Sequence, residues 1–397
     1  VPRHLDACTV GLLSVRCGPA QRDWVDAMKR FLAWLGLAAA ALAAYLLFWP
    51  VPIEPVAWNA PRFAGYVGPY ARNERLAAAS LVSVAPEIGP EHIAFGPDGK
   101  LYTGVLSGSV LRMNPDGTGI ETVVNTGGRP LGMEFDAAGQ LYVADAMKGL
   151  MRVGADGSIS LLEDHVGALP ILYADAVAVA GDGRVYFTDA TQRFDPRKLG
   201  TFDAALLDIM EHSCTGRVFE YQPATRALRL VMTGLCFPNG VALSGDQAQL
   251  FIAETGEYRV WKVDVDADSL DARAISGGEM NPKARVILAN LPGFPDNLTR
   301  GADGRLWTGF TKPRSGVIDA LSNRPWLRAM SLRLPKALWP VPPAYGHVVA
   351  FDEDGRVVAD LQDPAGRIPE TSGATEHGGK LYVQSLHGGA LGVLPGP

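Results

Sequence analysis

From Glu74 onward, short apolar runs alternate with polar residues and end in Asp/Gly turns. Alternation with period two, rich in β-branched and aromatic residues, marks half-buried antiparallel strands. The stretch from Leu235 to Lys262 shows it most cleanly. It predicts a tight turn carrying Asn239, a strand over Val241 to Leu243, a second over Leu250 to Ala253 and a third over Arg259 to Val263. The same pattern restarts at His92, Leu131, Ala176, Gly240, Leu298 and Glu376. Each copy carries an aromatic near the start of its second strand: Tyr102, Tyr142, Tyr186, Phe251, Trp307 and Tyr382. Repetition at this spacing predicts an all-β fold over residues 75–397, a six-bladed β-propeller of four-stranded antiparallel blades around a central channel. The last copy is one strand short. The segment around Leu81 to Val84 is placed to supply it and close the ring.

Two copies are interrupted by a change of period. Phe202, Ala205, Leu206, Ile209 and Met210 recur at helical spacing, predicting a short amphipathic helix with Thr201 as N-cap. A second insertion, between Thr311 and His347, is apolar, partly helical and broken by prolines. Both follow the second strand of their copy and so should emerge on one side of the ring. There they would cap the channel mouth and shape a hydrophobic pocket, or touch a membrane. Long insertions in compact folds are commonly functional.

The pattern before residue 74 is different. Phe31 to Trp49 holds no charged side chain and, as a helix, spans about 29 Å, enough to cross a bilayer core. Lys29 and Arg30 precede it, and Trp34, Phe48 and Trp49 stand as interface anchors. Positive charge on the N-terminal side predicts a cytoplasmic N-terminus and an exported propeller, periplasmic or extracellular. The rival, a cleavable signal peptide, lacks a small-x-small cleavage site in WPVPIEPVAW. The expected organisation is a disordered cytoplasmic segment over 1–30, with Met28 reading as a natural start, then a transmembrane anchor over 31–49, a linker over 50–74 and the propeller. Export brings oxidising conditions, and Cys214 and Cys236 flank a predicted hairpin turning at Pro223 to Arg226, nearly opposite one another. A disulfide and a pair of free buried thiols are both compatible with that placement. The net charge of −6, with no Lys/Arg stripe, speaks against a nucleic-acid partner.

Candidate chemistry enters at the strand starts. Glu91, Asp175, Asn239 and Asp296 stand just before or at the first strand of four copies, and Asn297 adds a further oxygen. In a propeller those strands line the axis, so their starts converge. Three carboxylates and an amide meeting there call for a divalent cation. All-oxygen ligation fits Ca2+ best, with Mg2+, Mn2+ or Zn2+ as alternatives. Each residue taken singly is also an ordinary turn residue; the recurrence carries the argument. Asp145, Asp189 and Glu254, which follow second strands, are expected to bind backbone N–H groups between blades.

The ordered series FPNGVALS, AETGEYRV, LPGFPDNL and EHGGKLYVQSL…GVL resembles the strictosidine synthase-like family, which includes the adipocyte plasma membrane-associated proteins. The chain is similar, more distantly, to gluconolactonases (SMP-30) and paraoxonases. The resemblance implies a six-bladed propeller and, in its hydrolytic members, an axial calcium with esterase or lactonase activity. It places the metal on Glu91, Asp175, Asn239, Asp296 and Asn297. Three departures matter. The catalytic Glu of strictosidine synthase, four residues before its Glu-His pair, is Ser372 here. A paraoxonase catalytic His is matched by Ala146, and the carboxylates of a second calcium are replaced by His92 and Ala176. The expected function is thus a membrane-anchored, metal-dependent hydrolase of small hydrophobic esters or lactones, of arylesterase or lactonase type. Asp296, by analogy with gluconolactonases, or His92 or His377 would handle the proton, with His387 a further alternative. The competing readings are a non-catalytic propeller that binds lipid or protein around a structural calcium, and a strictosidine synthase-type lyase.

Overall fold

The structure, a computed structural model, describes residues 7–10, 13–16, 19–339 and 341–396, with side chains from residue 23. Two compact units are present: residues 1–52 with Ala329–Trp339, and Ile53–Arg328 with 340–397.

The first unit is built on one helix, Pro19–Phe48. Its stretch Asp23–Phe48 is long and apolar enough to cross a membrane. The helix starts well before the apolar run. The Arg333 guanidinium donates to the carbonyls of Leu46 (3.0 Å) and Trp49 (2.5 Å), at a helix end whose carbonyls lack internal partners. Tyr45 Oη donates back to the Arg333 carbonyl at 2.9 Å. Of the disordered segment expected over 1–30, residues 1–6, 11–12 and 17–18 lie outside the described residues.

The second unit is the propeller, with six sheets whose first strand is innermost. These inner strands are Ile93–Phe95, Pro130–Phe135, Ala174–Val179, Pro238–Leu243, Gly293–Arg300 and Thr371–His377. Ser80–Ser83 pairs with Ala390–Pro395 and completes the sixth sheet, closing the ring as the pattern predicted. The core is not one central mass. It lies between blades: Ala176, Tyr186 and Val218 of the third pack against Val241, Ile252 and Trp261 of the fourth. The same layering joins the first blade to the second through Tyr102, Val110, Met133 and Val143. The axis is therefore left to polar groups.

Asp145, Asp189 and Glu254 end second strands, and each binds a backbone N–H just ahead of its own blade's inner strand. The acceptors take Arg129 N (3.0 Å), Tyr173 N (2.9 Å) and Cys236 N (2.8 Å). The expected backbone bonds form, each to an N–H in the connection that enters the blade. The reason is local: the chain enters the inner strand beside the end of the second, leaving one orphan donor there.

The first insertion forms the helix Thr201–Glu211, capped by Gly200; Thr201 is its first residue rather than the N-cap. Gly200 has φ +79°, a left-handed geometry that disfavours threonine and moves the helix start by one residue. Inside the helix, burial pushes the Asp208 carboxyl up to about 7, opposed by the Thr191 hydroxyl. Its Oδ2 is buried without a hydrogen-bond partner among the described residues. A carboxyl whose folded value is raised stabilises the fold below the unfolded value, near 4, and loses that contribution as pH rises through 7. Asp208→Asn is therefore expected to stabilise the chain by on the order of 2 kcal/mol at pH 8 and to do little at pH 4. Urea unfolding at both pH values measures the difference; equal shifts would show that the fold does not raise the Asp208 carboxyl above its unfolded value.

Candidate metal centre and pocket

The inner strands share a feature that the alternation alone does not show. In blades two to six the ladder skips a residue between Pro130 and Met133, Ala174 and Val177, Pro238 and Val241, Pro295 and Leu298, and Thr371 and Ala374. Two inner-strand residues there face one on the partner, which is a β-bulge, a device that re-aims side chains. The first bulge residues are Leu131, Asp175, Asn239, Asp296 and Ser372, and Glu91 holds the matching place in blade one. Asn239 thus sits inside a strand, not in the turn expected before it.

The second bulge residue is small where neighbouring strands close in. A Cβ on Gly132 would lie 2.5 Å from Ala176 Cα, and one on Gly240 would lie 2.2 Å from Leu298 N. At the two exceptions the larger side chain makes a specific bond. His92 Nδ1 accepts from Met133 N at 3.3 Å, and Asn297 Nδ2 donates to Glu91 Oε1 at 2.6 Å.

Glu91, Asp175, Asn239 and Asp296 come together in one pocket, all of them buried. Asn297 supports the cluster from beneath through its bond to Glu91. The Asn239 amide donates to Asp296 Oδ1. Four acceptors, Glu91 Oε2, Asn239 Oδ1, Asp296 Oδ2 and Asn297 Oδ1, are buried without a hydrogen-bond partner among the described residues. Buried acceptors left unpaired are costly, and buried carboxylates gathered in one pocket are relieved by a shared positive charge. Electrostatics agree. Burial pushes the Glu91 carboxyl up to about 7, against the pull of Arg129 and the Asn297 amide. Asp296 is raised well above the carboxylate range by burial and then by the charges of Glu91 and Asp175. Asp175 is raised by burial and by Glu91. An all-oxygen set of this kind fits a hard divalent cation.

His92 and His377 are not brought to this pocket. Both line a separate cavity at the other ends of the inner strands. His92 follows Glu91 directly, and successive strand side chains point to opposite sides. Burial lowers its pKa to about 4 and keeps it neutral. His377 stacks on Phe95 with centroids 3.7 Å apart.

Two residues before the bulge positions lies a second ring: Gly89, Arg129, Tyr173, Phe237, Phe294 and Glu370. Tyr173, Phe237, Phe294 and Glu370 line the pocket above the carboxylates. Arg129 is buried and donates to the carbonyls of Gly89 (3.0 Å) and Leu386 (3.4 Å); its charge favours ionised Glu91 and Asp175. Glu370 has a left-handed backbone, φ +52°, uncommon outside glycine and frequent at functional sites. Its carboxylate takes Lys312 Nζ at 2.7 Å and His387 Nδ1 at 2.5 Å. Burial raises Glu370, but those two bonds outweigh it and hold it below its ordinary value. This arrangement holds the His387 ring through Nδ1 at the pocket's edge, beside the lining residues Leu386 and Phe202, and its Nε2 has no hydrogen-bond partner among the described residues. Arg129, Glu370 and Lys312 were missed by sequence reasoning; counting two residues back from the bulge positions Leu131 and Ser372 finds the first two.

Both insertions close over the pocket. Phe202, Ala205, Leu206 and Ile209 come from the first, and Ile318, Val341 and Pro342 from the second. The Cys214–Cys236 disulfide forms, joining the end of the first insertion to the approach of the Asn239 strand. Ser372 Oγ donates to the Glu91 carbonyl, so the position of the lyase's catalytic carboxylate here serves to fix a candidate ligand.

Comparison with known proteins identifies the family and the fold. A family model described as strictosidine synthase-like, N-terminal, matches residues 68–113, and one described as strictosidine synthase matches residues 175–267. STRICTOSIDINE SYNTHASE-LIKE 13 of Arabidopsis thaliana is 31% identical over 343 residues, covering 78% of each chain. The adipocyte plasma membrane-associated protein of Homo sapiens is 31% identical over 369 residues, 87% of this chain and 83% of that one. Among solved structures, a gluconolactonase from Xanthomonas campestris aligns with a TM-score of 0.55 at 20% identity, covering 87% of this chain and 97% of that one. A calcium-binding regucalcin from Agrobacterium tumefaciens aligns with a TM-score of 0.54 at 15% identity, over 81% and 95%. Those two likenesses establish the shared propeller. The identity to the curated relatives, over most of both chains, goes further: this chain belongs to the strictosidine synthase-like family, alongside the adipocyte plasma membrane-associated proteins.

Proposed function

We propose that the chain is a membrane-anchored hydrolase of hydrophobic esters or lactones that depends on a divalent cation, most simply Ca2+. The observation that carries this reading is the set of unpaired buried oxygens beneath an apolar, lidded pocket. Glu91, Asp175, Asn239, Asp296 and Asn297 would hold the ion. A bound cation of this kind supplies polarisation of a carbonyl and stabilisation of the oxyanion.

The chain's own residues do the rest. Tyr173, Phe237 and Phe294, with Leu206 and Ile209 of the lid, hold the apolar part of the substrate and exclude water. Asp296 serves as a ligand, since its Oδ1 is already engaged by the Asn239 amide. His387 Nε2 takes the proton of the attacking water. Glu370 fixes the ring through Nδ1, and Lys312 fixes Glu370. The lyase reading loses its carboxylate at Ser372. The apolar helix provides the anchor, relatives named as plasma membrane-associated support it, and a disulfide suits an exported propeller.

Purified full chain in detergent, assayed on aryl esters and lactones with and without chelator, tests the proposal; turnover indifferent to chelation, or none on either class, defeats it. His387→Gln is expected to lower kcat about a hundredfold with KM little changed, and Glu370→Gln to lower it by a smaller factor. A His387→Gln chain with wild-type kcat would remove the imidazole from the mechanism.

A further inference from the structure

The Cys214–Cys236 disulfide has an imidazole and a carboxylate beside it. His212 Nε2 lies 3.5 Å from Cys236 Sγ, and Glu257 Oε1 lies 2.9 Å from that nitrogen and 3.9 Å from that sulfur. Ligand atoms of His212, Cys214 and Cys236 all fall within 4.8 Å of one another. His212 is held flat against Trp58, with ring centroids 3.9 Å apart. Its Nδ1 is buried and without a hydrogen-bond partner among the described residues, so Nε2 is the nitrogen turned to the group. Both cysteines and the histidine are buried.

Those spacings approach the edges of a coordination tetrahedron. Ligands about 2.0 to 2.3 Å from a central zinc ion stand roughly 3.3 to 3.8 Å from one another. The three edges among His212, Glu257 and Cys236 scatter around that range without rearrangement. Only the two sulfurs are closer, because they are bonded. We propose that the reduced chain binds a thiol-seeking divalent cation, zinc in chemical class, through Cys214 Sγ, Cys236 Sγ, His212 Nε2 and Glu257 Oε1, and that disulfide and bound ion are alternative states of one clamp.

The chemistry balances with a dithiol as reductant. It passes two electrons and two protons to the S–S bond and itself closes to a disulfide. Zinc then displaces the two thiol protons to solvent as both sulfurs bind as thiolates. Sulfur and imidazole ligands separate this site from the all-oxygen set on the axis. The location gives it leverage. His212 is the C-cap of the lid helix Thr201–Glu211, and Cys236 lies three residues before Asn239. Either state of the clamp fixes the lid to the strand that carries a candidate axial ligand.

The test uses full-length chain in detergent, reduced with a phosphine, desalted anaerobically and titrated with Co2+ alone. One equivalent is expected to give a thiolate-to-cobalt charge-transfer band in the near ultraviolet and the intense visible bands of a tetrahedral ion. The unreduced chain, with its disulfide intact, is expected to give neither. Cobalt on the axial oxygens produces no sulfur band, so failure here leaves the hydrolase reading standing, and failure of that reading leaves this one. Zn2+ should also shield both thiols of the reduced chain from alkylation, and His212→Gln should abolish that protection while leaving the thiols countable. A reduced wild-type chain with no charge-transfer band, or a band unchanged in His212→Gln, overturns the proposal.

Discussion

Asp296→Asn is expected to lower kcat/KM on an aryl ester by a factor on the order of a thousand, while raising the stability of the metal-free chain. The two effects have one cause. Asp296 is buried among Glu91 and Asp175, and all three carboxyls are raised by burial, with Asp296 raised further by Glu91 and Asp175, and Asp175 by Glu91. Without a cation the repulsion and desolvation of the third carboxylate outweigh its bond from the Asn239 amide, and asparagine relieves them. With a cation it is a ligand, which asparagine replaces poorly. A ligand at a hundred times its Kd stabilises the native state by about 2.7 kcal/mol. Saturating Ca2+ should therefore raise the melting temperature of the wild-type chain by several degrees and that of Asp296→Asn much less. Calorimetry with chelator and with Ca2+ checks it. Equal calcium shifts in both chains would show that the ion binds elsewhere.

The second large effect is on the fold. Gly240→Ala adds a methyl carbon 2.2 Å from Leu298 N, 2.5 Å from Asn297 C and 2.5 Å from Asp296 O. All three are backbone atoms of the next inner strand, so no side-chain rotation relieves the contact. Overpacking of this kind costs about 3 kcal/mol, and it forces apart the two strands that carry Asn239 and Asp296. The expected result is a chain unfolding several degrees lower that has also lost metal-dependent turnover. Gly389→Ala, whose added carbon meets nothing within 4 Å, should change stability by less than about 0.5 kcal/mol and serves as the control. Equal melting temperatures for the two variants would contradict the close approach of the inner strands.

The alternation was enough to read the ring. The strand expected over Leu250 to Ala253 is observed as Gln249–Glu254, and that over Arg259 to Val263 as Arg259–Asp264. Closure by the segment near Leu81 was legible because one copy lacked a strand and one apolar run was spare. Glu91, Asp175, Asn239 and Asp296 were legible by recurrence. The orientation of His92 was not: the oxygen cluster drew attention to its neighbour, while strand pleating sends it to the opposite cavity. Lys312 lies at the end of the second strand of the fifth sheet, Glu370 precedes the inner strand of the sixth and His387 follows that sheet's second strand, and no spacing links the three. Thr201 misled because it is a common capping residue, whereas the left-handed glycine before it takes that place.

Closure of the sixth sheet carries one more consequence, for biosynthesis. Ser80–Ser83 emerges from the ribosome early and finds its partner, Ala390–Pro395, only when nearly the whole chain has been made. Until then an early strand waits with an open hydrogen-bonding edge, the kind of edge that recruits strands from other molecules. Truncation just short of residue 390 would remove no pocket residue, yet it would leave five sealed sheets and one unlatched seam.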